Sequence, residues 1–173
     1  WNETDYSYEI WAETLKKSFI ESNNSEGISL YIHLPFCESM CTFCGCNKRI
    51  TKNHDVENPY IEAVLKEWTL YCNLLGEKPT IKEIHLGGGT PTFFSSENLE
   101  ALILGILEKA DKAQGYEFSF EGHPNNTTRE QLQKLYDLGF RRVSFGVQDY
   151  SEKVQKAIHR IQPFINVAKV TLW

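Results

Sequence analysis

Apolar positions along this chain alternate between a helical and a strand-like rhythm. From residue 6 to residue 22, Ile10, Trp11, Leu15, Phe19 and Ile20 recur at helical spacing, and Asn23-Asn24-Ser25 ends the run. After Gly27 the pattern tightens into ISLYIHL, β-branched and aromatic and stopped by Pro35, which predicts a strand. Ile61, Leu65, Trp68, Cys72 and Leu75 form one stripe and predict a helix over 57–75, with Cys72 as a small packed hydrophobe. IKEIHL predicts a second strand running into GGGTPT, and Leu99, Leu102, Ile103, Ile106 and Leu107 a helix over 96–110. YEFSFEGHP reads as a third strand ending at Pro124. Thr128 to Leu138 read as a helix closed by Gly139, and RRVSFGVQD as a fourth strand. Ser151 to His159 begin another helix, and Pro163 opens the last segment.

Strands that alternate with helices of this length imply right-handed βαβ units, an α/β fold and a parallel sheet. Four strands are too few to close a (β/α) barrel, so these residues form an open sheet or part of a barrel. The chemically unusual segments all follow strand ends: the cysteine run after the first, GGGTP after the second, Glu121 at the third and Gln148 at the fourth. In α/β folds that rim is where ligands gather.

Composition narrows the class. The 173 residues are 41% hydrophobic and 24% charged, with a net charge of -5. This is an ordinary globular balance that argues against broad nucleic-acid binding. No run is long and apolar enough to span a membrane, and no secretory pattern leads the chain. A cytoplasmic monomer is the expectation. The only methionine is Met40, so the chain reads as an internal piece of a longer protein.

Four of the five cysteines fall within CESMCTFCGC, residues 37–46. Disulfide scaffolds spread cysteines along the chain to close loops, and the number here is odd. Zinc sites pair two knuckles, and no second CxxC or HxxxH follows, although His54 or Cys46 could complete a set. Cys37, Cys41 and Cys44, spaced CxxxCxxC, also suit an iron–sulfur cluster in which each thiolate meets its own iron. Phe36, Met40 and Phe43 would shield such a site.

CESMCTFC after a first strand, followed by GGGTPT, resembles the radical S-adenosylmethionine (SAM) superfamily. The fuller string YIHLPFCESMCTFCGCNK, with HLGGGTPT, RRVSFGVQD and VQKAIHR in the same order, is similar to its oxygen-independent coproporphyrinogen III oxidases. The sister haem-chaperone-like proteins typically lack the CxC ending, so Cys46 favours the oxidases. The resemblance implies residues 28–173 as part of an incomplete (β/α)6-type radical SAM barrel, preceded by an N-terminal helical segment, 1–27. It implies a 4Fe–4S cluster on Cys37, Cys41 and Cys44, with the open iron binding SAM. One electron then yields a 5′-deoxyadenosyl radical. The substrate would be coproporphyrinogen III, two propionates of which become vinyl groups as protoporphyrinogen IX forms, with an electron donor of unknown identity. Further strands and a C-terminal domain are implied elsewhere, so that this stretch alone does not complete a turnover. A chaperone without oxidase activity and a zinc-stabilised interaction module stand as alternatives.

The resemblance also places Tyr31, Phe43, Gly88, Gly89, Thr90, Glu121, Gln148 and Arg160 against SAM. Three adjacent glycines also fit a backbone that a ligand approaches closely, whereas Tyr31 alone reads as packing and Arg160 alone as surface. His33 shares the strand parity of Tyr31; it and Cys46 are candidate catalytic or substrate-side residues. His123 stands where the resemblance puts an acid.

Overall fold

The computed structural model describes residues 7–173. Residues 1–6 of the expected N-terminal segment, including Tyr6 at the head of the predicted helix, lie outside the described residues.

Helix α1 (Tyr8–Asn23) starts where the Ser7 hydroxyl accepts the Ile10 N–H at 3.3 Å. Its last residue ties it to the sheet: Asn23 Oδ1 accepts the Thr80 N–H at 2.6 Å. Strands β1 (Ile28–Leu34), β4 (Thr80–Gly88), β5 (Asp111–Gly122) and β6 (Phe140–Phe145) pair in that order, all in parallel. Helices α2 (Glu57–Leu75), α3 (Ser96–Glu108) and α4 (Arg129–Leu138) make the crossovers. A right-handed crossover puts each of them on the same side of the sheet. Ile32, Leu34, Ile84, Leu86, Phe118 and Phe120 point into that layer and are buried with Leu99, Leu102, Ile103 and Leu135. Each such side chain contributes about 1.5–3 kcal/mol relative to exposure.

The alternate positions form a second, polar face: Tyr31, His33, Glu83, His85, Glu117, Ser119, Glu121 and Arg142. No helix covers this face among the described residues. Register aligns Tyr31 with His85, and His85 with Ser119, as one rung across three strands.

Several boundaries move from the sequence expectation. Strand β5 begins at Asp111, five residues before the apolar run, because its first half is a bulged edge. Between Ile81 and Glu83 of β4, β5 advances from Lys112 to Glu117. Gly115 takes φ 65 there, and Lys82 Nζ holds the carbonyls of Gln114 (3.2 Å) and Gly115 (2.9 Å). Strand β6 stops at Phe145, short of Gln148, which lies in the loop beyond with φ 63. The expected Gly139 cap of α4 is present at φ 111, opposite a Thr128–Gln131 capping box. Helix α5 (Glu152–Ala157) is shorter than expected, and α6 (Phe164–Thr171) follows Pro163. Two short strands were not foreseen: β2 (Phe36–Cys37) and β3 (Arg49–Ile50) form a parallel ribbon at the base of the cysteine loop. Among the described residues no helix is long and apolar enough to cross a membrane.

Candidate active site

The cysteine loop is pinned at both ends. Arg49 N–H donates to the Pro35 carbonyl (2.8 Å) and Thr51 N–H to that of Cys37 (2.9 Å). Between these clamps a turn closes from Cys44 N–H to the Cys41 carbonyl (3.2 Å), and Lys48 Nζ holds the Cys44 and Cys46 carbonyls at 3.0 and 3.3 Å. The Thr42 N–H reaches across the molecule to the Ile158 carbonyl at 3.1 Å, docking the loop on the turn after α5.

Cys37, Cys41 and Cys44 line one cavity of about 140 Å³ with Thr90, His123 and Arg160. Thr90 Oγ1 lies 3.3 Å from Cys37 Sγ, and Arg160 Nη1 3.5 Å from Cys41 Sγ. Burial pushes the Cys37 thiol up, with help from Cys44 and Cys41, and is opposed by Thr90 and Arg160. At Cys44 burial also acts upward, but hydrogen bonds from Cys46 and the charge of Lys48 outweigh it and lower the thiol. Cys46 is raised, first by burial and then by Cys44 and Glu121. It is exposed and outside the cavity lining.

The triple glycine meets the chain's own atoms. A Cβ on Gly88, which has φ 115, would sit 2.8 Å from the His33 ring, and one on Gly89 2.5 Å from the Pro35 carbonyl oxygen. Gly87 gives the same room to Tyr31. Bareness here lets two aromatic rings and the start of the cysteine loop close against β4. Gly89 then presents its backbone to the cavity.

Arg160 is braced from behind. Its Nε and Nη2 both donate to the Gly146 carbonyl, at 3.1 and 2.8 Å, and Gln162 Nε2 donates to the same oxygen at 3.1 Å. His123 accepts the Asn125 N–H at Nδ1 (3.2 Å) and has the Gln162 amide 3.3 Å from Nε2. Burial, and next the Arg160 charge, lower its pKa to about 4, so it is neutral near pH 7. Asn126 Oδ1, on a residue of the cavity wall, is buried without a donor.

A second cluster stands on the polar face. His33 Nε2 contacts the Asn47 carbonyl at 2.7 Å; a carbonyl only accepts, so Nε2 carries the proton and Nδ1 accepts from Tyr31 Oη at 3.0 Å. The Tyr31 ring stacks on His85 at 5.9 Å, and His85 meets Ser119 Oγ at 2.8 Å and Glu121 Oε1 at 3.6 Å. The Tyr31 phenol is raised, mainly by burial and then by Glu121 and Cys46. His85 was missed from sequence. The parity that singled out Tyr31 and His33 on β1 applies equally to β4 and would have found it.

The apolar shield expected around the cysteines needs correction. Phe36 does not shield the cysteines; it is buried beneath the loop against Tyr60, Phe93 and Phe94, at ring distances of 5.3–5.7 Å. Met40 and Phe43 are exposed, and neither lines the cavity. Nor does Gln148. His54 is engaged away from the cysteines, stacked on Phe93 and bonded to Glu57 at 2.6 Å. Among the described residues no three His, Cys, Asp or Glu side chains converge on one metal ion.

The sequence model of the Radical SAM superfamily matches residues 31–171. The chain belongs to this superfamily. Within the radical SAM proteins it is 44% identical over 156 residues to oxygen-independent coproporphyrinogen III oxidase of Helicobacter pylori, covering 88% of this chain and 34% of that protein. It is 38% identical over 146 residues to the protein of the same name from Synechocystis, covering 84% and 31%. The fold matches the solved structure of coproporphyrinogen III oxidase from Escherichia coli, described as a radical SAM enzyme, with a TM-score of 0.85 at 29% identity. That match covers 94% of this chain and 36% of the other. The chain thus spans about a third of the length of the curated relatives it matches.

Proposed function

We propose that these residues form the cluster-bearing part of an oxygen-independent coproporphyrinogen III oxidase, and that residues 28–173 are an arc of its barrel with the helical segment docked beside it. The observation that carries this is the convergence of Cys37, Cys41 and Cys44 on one cavity whose rim is built by Gly89, Thr90 and Arg160. The identity to proteins of that name supports it.

The donor set fits a 4Fe–4S cluster. Three thiols surround a single recess, each free to meet its own iron, and the fourth iron is left for another ligand. Arg160 has no carboxylate partner among the described residues and supplies positive charge to an anionic group. The donorless Asn126 Oδ1 and the bare Gly89 backbone suit the ammonium and carboxylate of SAM. We assign Tyr31, Phe43, Gly88, Gly89, Thr90, Glu121, Gln148 and Arg160 to SAM, and His33 and Cys46 to the substrate side. Bound together, cluster and SAM supply one-electron radical chemistry; the protein orients them and excludes competing reactions. Tyr31, His33 and His85 form a rigid polar wall facing the same side as Glu121, where a propionate-bearing tetrapyrrole would lie. Each reacting propionate loses CO2, a hydrogen and an electron to become a vinyl group. A reducing, cytoplasmic setting and an external electron donor complete the proposal.

The test is SAM-dependent CO2 release from coproporphyrinogen III by the intact, anaerobically reconstituted protein. Release of two CO2 per protoporphyrinogen IX is expected. A full cluster complement with no release would overturn the oxidase reading.

A further inference from the structure

Two of the three cavity thiols have a side-chain donor from outside the cysteine loop aimed at their sulfur. Thr90 Oγ1 stands 3.3 Å from Cys37 Sγ. Between a hydroxyl and a thiol either group can donate; once the sulfur is an ionised ligand it can only accept, so the Thr90 hydroxyl must donate. Thr90 is buried, and Cys37 Sγ is the partner found for its hydroxyl.

Arg160 is placed more elaborately. The preceding His159 takes φ 53, a left-handed conformation that costs a non-glycine residue about 1–2 kcal/mol. The Arg160 N–H donates back to the Gln155 carbonyl at 2.9 Å, and two guanidinium nitrogens are fixed on the Gly146 carbonyl. The remaining Nη1 is thereby directed at Cys41 Sγ, 119 residues away in sequence, at 3.5 Å. Among the described residues no carboxylate is ion-paired with Arg160. His123, which lines the same cavity, carries no negative charge in either protonation state and cannot neutralise the cation.

We propose that Thr90 and Arg160 donate hydrogen bonds to the cluster-ligand sulfurs of Cys37 and Cys41 and so hold the reduction potential of the cluster up. This is a tuning role distinct from any contact with SAM, and it rests on the cluster assignment above. Reduction adds negative charge to the cluster, and hydrogen bonds and positive charge at the sulfurs stabilise the reduced form. Arg160 carries a full charge and Thr90 only a dipole, so Arg160 has the larger effect.

The experiment is a mediator titration followed by electron paramagnetic resonance on the intact, reconstituted protein without SAM. Iron and sulfide content are measured alongside. Thr90→Val is expected to lower the midpoint potential at unchanged iron content, and Thr90→Ser to restore it. Arg160→Gln is expected to lower it further, with Arg160→Lys in between. Wild-type potentials in Thr90→Val and Arg160→Gln at full iron content would overturn the proposal. If both variants lose the cluster, electron–nuclear double resonance of the reduced wild-type cluster in H2O and D2O decides. Strongly coupled exchangeable protons are expected, and their absence overturns the proposal. A wild-type protein that assembles no cluster refutes the underlying assignment instead, so the two failures are distinguishable.

Discussion

Glu57 offers a direct measure of how the loop after β4 is held. The residue is 2% exposed, and its carboxylate joins three elements. Oε1 accepts from His54 Nδ1 at 2.6 Å, while Oε2 accepts from the Ser95 N–H at 2.8 Å and from Asn98 Nδ2 at 2.7 Å. Glu57→Ala strands the Ser95 and Asn98 donors at the N-terminus of α3. A fully buried donor left without a partner costs about 1–3 kcal/mol; Ser95 and Asn98 are half-buried, so the two together cost about 2 kcal/mol. His54 is half exposed and adds about 1 kcal/mol or less. Glu57→Gln behaves differently. Its amide oxygen can serve Ser95 and Asn98 while its NH2 faces His54 Nδ1, whose lone pair accepts. Only the charge is lost, for about 1 kcal/mol. Urea denaturation followed by circular dichroism of the intact protein, at equal iron content, compares the two. If Glu57→Ala falls within about 1 kcal/mol of wild type, or if Glu57→Gln is as damaging as Glu57→Ala, the carboxylate is not the joint described.

Gly88→Ala combines a positive φ with a 2.8 Å approach to His33, so a loss of about 2–5 kcal/mol is expected, read as a fall in thermal midpoint; an unchanged midpoint would contradict the close packing of β1 on β4. His123 has its folded pKa lowered from 6.5 to about 4, so between those values the unfolded chain binds the extra proton. Stability is therefore greatest above pH 6.5 and falls by about 3 kcal/mol as pH drops through about 4. His123→Asn should remove that part of the pH dependence, and an identical slope in the variant would refute it. Cys41→Ala is expected to abolish the reconstituted cluster while Cys72→Ala retains it, because Cys72 packs against the helical layer; iron and sulfide analysis of both variants decides.

Much of the fold could be read from short apolar runs, because a strand buried under helices must be apolar at alternate positions. IKEIHL and YEFSFE declared β4 and the second half of β5 in this way. The same reading was blind to the first half of β5. Its DKAQG carries no apolar rhythm and is held by the bulge and by Lys82 rather than by burial. The β2–β3 ribbon is two residues per strand, too short for any period. At the site, spacing grouped the three cysteines and the end of β4 brought Thr90 to them, whereas Glu121 at the end of β5 stands with His85 on the polar face. Arg160 arrived beside Cys41 only through the turn at His159, a conformation that nothing in its side chain announces. Phe36 was misread for the opposite reason. Its neighbour Cys37 faces the cavity, and alternation along β2 sends Phe36 to the core.

The β2–β3 ribbon also changes what losing the metal would mean for the molecule. With Pro35 joined to Arg49 and Cys37 to Thr51, residues 38–48 form a ring closed by the protein's own backbone. Gathering thiols within a ring already shut restricts the chain far less than gathering them in an open segment. Were a cluster held there and then lost to oxidation, the opening would be local, with β1 and β4 still paired beneath it. The emptied protein would stay a template for its own repair, able to take up iron and sulfide without first refolding.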